Sequence, residues 1–273
     1  MNSQADSHMN QQQLLEIYDQ EQRREVNYPG VERQVLPQLI RHVDPNGVMS
    51  QVLYTDLDEH NADTVIAEQI AFFAGQDFEW KYFTHDSPTD LKQRLAAYGF
   101  EVGEAEAILM LDLETAPESL FAPVTQDLRQ ITEPELLAGI MTVQSRVFGN
   151  KDTVDENEDN WVARQLAEEL ATTPDQVSVY AAYADDDVVV SSAWVRFPEN
   201  NRFASLWGAA TLRNYRKRGF YTALLAIRAQ EARQRGRRFL TVDASPMSQP
   251  ILARFGFQWI TTSHPCMWKG RPA

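Results

Sequence analysis

The chain has 273 residues, 43% of them hydrophobic, a length and composition that fit two domains with cores of ordinary size. Its formal net charge of −14 argues against general binding to DNA or to a membrane surface. Cys266 is the sole cysteine, so no disulfide can close within the chain, which fits a reducing cytoplasm.

Residues 1–10 are polar and lack the basic-then-apolar order of a secretion signal, so a disordered tail is expected there. Residues 11–25 place Leu14, Leu15 and Tyr18 at helical spacing. Strands are expected at 33–42 and 48–55, separated by the turn sequence Asp44-Pro45-Asn46-Gly47. A helix over 59–75, a strand over 78–84, a short helix ending near Gly99 and a strand over 105–113 complete a first domain, 11–114. Residues 115–125, with Pro117 and Pro123, read as a linker.

The second domain, 126–273, opens with a strand at 128–131 and helices at 133–148 and 156–172. Strands follow at 177–184 and 187–196, joined by an acidic turn at 185–187, and then at 203–212 after Asn200 and Asn201. A helix over 218–235 ends at Gly236, where a C-cap glycine belongs. A strand at 238–243, a helix at 247–255 and end strands at 257–262 and 265–269 finish the chain. The expected class is α/β (α+β), with a mixed, mostly antiparallel sheet flanked by helices. No run of about 18 apolar residues occurs, so no membrane-spanning helix is expected.

Charge is unevenly spread. Residues 1–125 carry 7 Lys/Arg against 22 Asp/Glu, whereas 126–273 carry 18 against 17. Between residues 213 and 238 nine basic side chains face a single acid, Glu231. This basic strip holds the most telling segment. The apolar run Leu206-Trp207-Gly208-Ala209-Ala210-Thr211-Leu212 leads into Arg216-Lys217-Arg218-Gly219 and then into an Ala/Leu-rich helical pattern. A strand that turns through cations and a glycine into a helix start offers outward N–H groups and a favourable dipole to phosphate. The plainer reading of the same residues is a solvated basic helix start.

The two halves also repeat. Residues 80–100 laid over 237–257 match at Thr84/Thr241, Asp86/Asp243, Leu95/Leu252, Ala96/Ala253, Gly99/Gly256 and Phe100/Phe257. The glycine turn has no counterpart in the first copy, so only one half is expected to bind the phosphorylated ligand.

Arg216-Lys217-Arg218-Gly219-Phe220-Tyr221 resembles the cofactor signature of the GNAT acyltransferase superfamily, Gln/Arg-x-x-Gly-x-Gly/Ala. The resemblance implies a GNAT-like fold in two related domains, the first degenerate, with the second using acetyl-CoA as cosubstrate. In that family the backbone of this turn cradles the pyrophosphate, which implicates Arg216, Lys217, Arg218, Gly219, Phe220, Tyr221 and Thr222. The preceding strand splays from its neighbour there and pairs with the pantetheine arm. On this chain that implicates Ala210, Thr211 and Leu212, with Ala210 and Leu212 as main-chain contacts. Tyr221 departs from the small residue usual at its position.

Residues 243–257 are similar to the family's later motif, Asn-x-x-Ala-x-x-Leu-Tyr-x-x-x-Gly-Phe, with Ser245 at the Asn, Ser248 at the Ala and Leu252 at the Tyr. The resemblance places Ser245 and Ser248 at the cofactor; the plainer role for Ser245 is to cap a helix. Leucine cannot donate a proton to the leaving thiolate, so that role is vacant or moved. The catalytic candidates are Ser245, Tyr221 and Asp243. Tyr215, His264 and Cys266 stand near enough in sequence to be weighed, though packing roles explain them as well.

The expected reaction is transfer of an acetyl group to an amine by direct attack in a ternary complex. The alternative is a catalytically silent acyl-CoA-binding regulatory module. The acceptor is a small-molecule or peptide amine, with no nucleic-acid or membrane partner and a homodimer as a candidate assembly. Asp155, Glu156 and Glu158 could draw in a cationic acceptor or form a solvated face. The histidines are scattered and no paired cysteines occur, so no metal site is expected.

Overall fold

The computed structural model describes residues 9–47, 50–149, 161–184 and 187–270. In chain order the elements are α1 (Gln11–Tyr18), β1 (Glu32–Val35), β2 (Leu39–Val43), β3 (Gln51–Thr55), α2 (Ala62–Phe72), β4 (Phe78–Phe83), α3 (Leu91–Tyr98), β5 (Glu101–Val102) and β6 (Glu106–Asp112). There follow β7 (Leu128–Ile131), α4 (Leu137–Phe148), α5 (Trp161–Thr172), β8 (Val177–Ala184), β9 (Val188–Arg196), β10 (Phe203–Thr211), α6 (Phe220–Gln234), β11 (Phe239–Ala244), α7 (Gln249–Ala253) and β12 (Gln258–Trp268). The class is the expected one: mixed α/β, with mostly antiparallel strand pairs and flanking helices. The chain packs as two compact units, Met1–Met110 with Asp243–Ala273, and Leu111–Val242.

In the first unit the strand order is β1-β2-β3-β4-β12-β6, with β5 also paired to β12. The β3–β4 pair is parallel, closed by the crossover helix α2, and the others are antiparallel. β4 alternates, as a half-covered strand must. Phe78, Trp80 and Tyr82 enter the core with Leu91 and Leu95 of α3 and Val65 and Ile66 of α2. Each such side chain contributes roughly 1.5–3 kcal/mol through burial.

Residues 33–42, expected as one strand, form the hairpin β1–β2. Pro37 has no N–H for a ladder, and the Leu36 N–H closes the bend on the Leu39 carbonyl at 2.9 Å. The two expected end strands are one strand, β12, whose ladder runs unbroken against β4 from Ser263 to Trp268. That ladder joins residues 243–273 to the first unit, whereas a division of the sequence at 115–125 groups them with the second half. At the amino end, Asn10 accepts from the Gln13 N–H while the Gln13 side chain accepts from the Asn10 N–H. Residues 1–8 lie outside the described residues.

The repeat has a structural counterpart at both of its Gly-Phe steps. α3 ends with Gly99 N–H on Ala96 O (3.0 Å) and Phe100 N–H on Leu95 O (3.1 Å). α7 is followed by Gly256 N–H on Ala253 O (3.1 Å) and Phe257 N–H on Leu252 O (3.3 Å). Both glycines are left-handed, with φ of +102° and +87°. These are two copies of one C-terminal helix cap.

In the second unit the strand order is β11-β10-β9-β8-β7, parallel between β10 and β11 and antiparallel elsewhere. β8 shows how the layers form. Val177, Val179 and Ala181 pack with Leu137, Ile140, Leu166 and Leu170 of α4 and α5. The alternate residues Ser178 and Tyr180 bond Glu231 of α6 at 2.7 and 2.9 Å, so α6 covers the opposite face. The stretch 115–125 is docked rather than loose. Leu120 is buried, and Gln230 of α6 donates to the carbonyls of Leu120 and Ala122. Helix α4 is preceded by a 3-10 turn, Pro134–Leu136, and α5 is described from Trp161, residues 156–160 of the expected helix lying outside the described residues.

Candidate active site

The site begins with a defect in a ladder. β10 pairs with β9 from Ser205 to Trp207 and resumes at Ala210, leaving a bulge at Gly208 and Ala209. Gly208 has φ of +59°, and a Cβ there would lie 1.8 Å from the Trp194 ring. Only glycine permits that approach. Gln144 of α4 braces the bulge, donating to Gly208 O (2.6 Å) and Ser192 Oγ (2.9 Å).

On its other side β10 pairs with β11 only through residues 203–205 and 239–241. From Leu206 onward that edge of β10 is open to the β11 side, as expected of a splayed strand. The direction of each backbone group follows from the ladder. Leu212 donates its N–H to Val190 O at 3.0 Å, so Leu212 and Ala210 turn toward β9 and the intervening Thr211 turns to the open edge. Ala210 O accepts from Ser191 Oγ (2.6 Å) and Leu212 O from the Tyr215 N–H (2.9 Å). Of the three strand residues singled out from sequence, Thr211 therefore presents its main chain to the open edge, and Ala210 and Leu212 do not.

A 3-10 turn, Arg213–Tyr215, leads to Arg216, whose Nε donates to Thr211 O at 3.1 Å. Lys217 has φ of +63° and Gly219 φ of +86°. Left-handed residues bracketing Arg218 turn successive N–H groups toward one side, a nest for an anion. Gly219 is the N-cap of α6 and supplies no capping side chain. The first helical bond is Ala223 N–H to Gly219 O, so Phe220, Tyr221 and Thr222 hold the unpaired amides of a helix start. Arg216, Lys217 and Arg218 are exposed around them, and Arg218 lies over the Tyr215 ring at 5.0 Å.

Tyr221 is half-buried, and burial pushes its hydroxyl above the ordinary tyrosine range while Arg228 partly opposes that. Seven residues apart on α6, the two lie on one helical stripe. Arg228 is 1% exposed. Its Nε donates to Leu224 O (2.8 Å) and its Nη1 to Trp194 O (3.2 Å) and Trp207 O (3.5 Å). Burial lowers its pKa to about 10, with Tyr221 and Tyr180 pulling the other way, so it stays charged at neutral pH. In sequence Arg228 is marked only as an arginine in an otherwise Ala/Leu-rich helical stripe.

Asp243, Ser245 and Ser248 belong to the first unit. Asp243 Oδ2 is ion-paired with Lys81 Nζ. Lys81 is held above its ordinary range: burial opposes the charge, but Asp243 and the neighbouring Tyr18 and Glu79 outweigh it. Ser245 stands three residues before the N-cap of α7, and its Oγ accepts the Ser248 N–H at 3.4 Å. The N-cap is Ser248, without a side-chain cap bond, and the Ser245 carbonyl takes the N–H groups of Ser248 and Gln249, both at 3.0 Å. Leu252 is a core residue, 1% exposed. Cys266 is buried and its thiol is pushed up to about 12 by burial, which makes it a packing residue; His264 Nδ1 meets Gly103 O at 3.1 Å. Asp155, Glu156 and Glu158 lie outside the described residues. Among the described residues no helix is long and apolar enough to cross a membrane.

A splayed, bulged strand thus runs into a cationic glycine turn and a helix start. Residues 140–257 match the family model described as "Acetyltransferase (GNAT) family". The chain thus carries a GNAT-family domain, and its fold is shared by structures of that kind. A GCN5-related N-acetyltransferase from Kribbella flavida is similar at a TM-score of 0.61 and 14% identity, covering 93% of each chain. A tandem GNAT protein from the clavulanic acid biosynthesis pathway is similar at a TM-score of 0.57 and 13% identity, covering 91% of this chain and 86% of that one. A GCN5-related N-acetyltransferase from Sphaerobacter thermophilus is similar at 0.54 and 14%, covering 88% and 83%. No curated protein matches the chain.

Proposed function

We propose that this chain is an N-acetyltransferase that moves an acetyl group from acetyl-CoA to an amine in a ternary complex. The observation that carries the reading is the open edge of β10 at Thr211 leading, without a break, to the turn at Lys217 and Gly219 and the uncapped start of α6. The turn amides and the three exposed cations suit a pyrophosphate. The open edge suits an amide-bearing arm that needs backbone partners. In this proposal residues 11–114 and 126–273 descend from one ancestral unit, and only the second keeps the turn.

Acetyl-CoA supplies an acyl carbon activated by a thiolate leaving group. The amine lone pair attacks that carbon, negative charge grows on the carbonyl oxygen, and collapse breaks the C–S bond. Among this chain's groups we assign the Thr211 N–H to the oxygen, because it is the main-chain donor turned to the open edge. We assign the Tyr221 hydroxyl to the sulfur, because it is half-buried and stays protonated at neutral pH. No step is assigned to Asp243, which is ion-paired with Lys81, or to Ser245, both of which belong to the first unit. The lone buried cysteine fits the cytoplasm as the compartment.

One observation favours a second reading, a silent acyl-CoA-binding module: Leu252, at the position of the family's proton donor, is a buried apolar residue. Release of free thiol from acetyl-CoA across a panel of amines separates the two. Amine-dependent release supports the enzyme. Tight binding without release on any amine supports the module, and absence of both binding and release sinks both.

A further inference from the structure

Two aromatic side chains of the second unit reach solvent from positions that face the core. α4 meets the sheet along one stripe. Leu137, Ile140, Met141 and Gln144 recur at helical spacing, the first three in the core and Gln144 bonded to Gly208 O and Ser192 Oγ. Phe148 is the next residue of that stripe, four positions after Gln144, yet it is 67% exposed. The contacts before it fix its level above the sheet. Gly139 lies against Val189 and Gln144 against Ser192, so α4 runs along β9 in the same direction. Phe148, about 6 Å further along the helix, comes level with Trp194.

Trp207 lies on the strand beside that level. It pairs directly with Trp194 across β9 and β10, so both indoles project from one face, the face on which Trp194 packs with Leu137, Ile140 and Met141. Trp194 is buried there, whereas Trp207 is 36% exposed. A sheet-facing phenylalanine and a helix-facing tryptophan that both reach solvent leave a gap between the end of α4 and β10. Trp207 is also the last residue before the bulge, on the stretch of β10 that has left β11. α6 covers the opposite face, so the α4 side is the way in to the open edge. The charge at the Trp207 ring is already neutralised. Arg196 Cζ lies 5.3 Å from the ring centre, and its Nε is paired with Glu169 at 3.0 Å.

We infer that Phe148 and Trp207 are the roof and floor of the acceptor site, and that the acceptor is an arylalkylamine: one planar ring system joined to a primary amine by a short tether. This rests on the acyl-transfer reading given above. Two aromatic side chains across a gap suit a ring that stacks on them or meets them edge to face. The guanidinium already beside the indole disfavours a second cation there, which sets a monoamine above a diamine. Trp207 stands four residues before Thr211, about 13 Å of extended chain and less across a bulge. That distance accommodates a short tether and one ring when the nitrogen is at the thioester. The neutral amine's lone pair attacks the thioester carbon, the C–N bond forms and the C–S bond breaks. The nitrogen loses one proton and the leaving sulfur gains one, giving an amide and a free thiol.

The test measures thiol release by the full chain with acetyl-CoA held constant. Phenethylamine and tryptamine are compared with hexylamine, which has no ring, and with cadaverine, which carries a second ammonium group. The expected result is a kcat/KM about tenfold or more higher for the two arylalkylamines, as a fitted apolar pocket provides. Trp207→Ala should bring the four amines to within about twofold of one another, by raising KM for the ring-bearing pair. Phe148→Ala trims an exposed side chain and so decides the matter if Trp207→Ala does not fold, as read by circular dichroism. It should cut the preference about threefold or more. Equal use of all four amines, a preference for hexylamine or cadaverine, or a preference that survives Phe148→Ala overturns the assignment and leaves acyl transfer intact. Binding of acetyl-CoA without release on any amine, or no binding at all, overturns both.

Discussion

The α-carbon of Gly208 faces the Trp194 ring so closely that a Cβ on it would lie 1.8 Å from Cζ3 and 2.1 Å from Cη2. The bulge that opens β10 thus depends on an indole occupying the space a side chain would need. Gly208→Ala must either displace Trp194, which is packed among Ile131, Leu137 and Val179, or flatten the bulge. Its φ of +59° adds a left-handed penalty. Together these should cost about 2–5 kcal/mol in urea unfolding. A change within about 0.5 kcal/mol would show that the ring moves aside freely.

Gly219 carries the second prediction. Its φ is +86°, it caps α6 without a side chain, and the turn amides gather beside it. Gly219→Glu brings a carboxylate to the surface assigned to pyrophosphate. The nearest obstacle to its Cβ is the flexible Gln126 Nε2 at 2.9 Å, and the left-handed φ adds about 1–2 kcal/mol, a cost the fold should survive. Acetyl-CoA affinity by calorimetry should drop about 100-fold or more, roughly 2.7 kcal/mol. Unchanged affinity in a folded variant would falsify the turn's assignment.

The turn was legible because its chemistry is local: cations, a glycine and a helix start are adjacent in sequence. The C-caps at Gly99 and Gly256 were legible for the same reason. What the sequence hid are relationships set by distant pairing. Whether Ala210 or Thr211 faces the open edge depends on which of them bonds to β9, a parity that a one-residue shift in register reverses. The placement of β12 with β4 depends on a ladder between residues about 180 positions apart. The burial of Arg228 was not legible because nothing near it in sequence reveals that Trp194 O and Trp207 O accept its bonds.

Glu106 yields a prediction about pH. Burial raises its pKa, Asp243 adds to the rise, and Lys81 partly offsets it. A carboxyl whose pKa is higher in the folded than in the unfolded chain favours the fold fully at pH values below its ordinary range, about 4.3. That contribution is lost as pH rises through the folded pKa. Glu106→Gln removes the titration. The variant should melt higher than the native chain at pH 7, with the difference shrinking to nothing near pH 4. Melting curves across that range check it. A constant difference would mean that folding leaves the Glu106 pKa unchanged, and one that grows toward acid that the carboxylate is stabilised in the fold.

Arg23 and Asp86 test what a paired buried charge contributes in the first unit. Arg23 Nη2 donates to Asp86 Oδ1 at 2.6 Å, with side chains 1% and 3% exposed. Arg23 also donates to Leu53 O at 3.2 Å and lies over the Phe83 ring at 3.9 Å. Asp86 Oδ2 accepts the Phe83 N–H at 2.9 Å, yet burial still raises its pKa. Arg23→Met leaves that carboxylate without its cation and should cost about 3–5 kcal/mol in chemical unfolding. Asp86→Asn leaves the guanidinium with Asp19 alone, at 2.9 Å, and should cost less. Because the two side chains share one bond, the double variant should be less destabilised than the sum of the singles by about 0.5–3 kcal/mol. Strict additivity would mean that each residue acts through its other partners and that the pair itself contributes nothing to the fold.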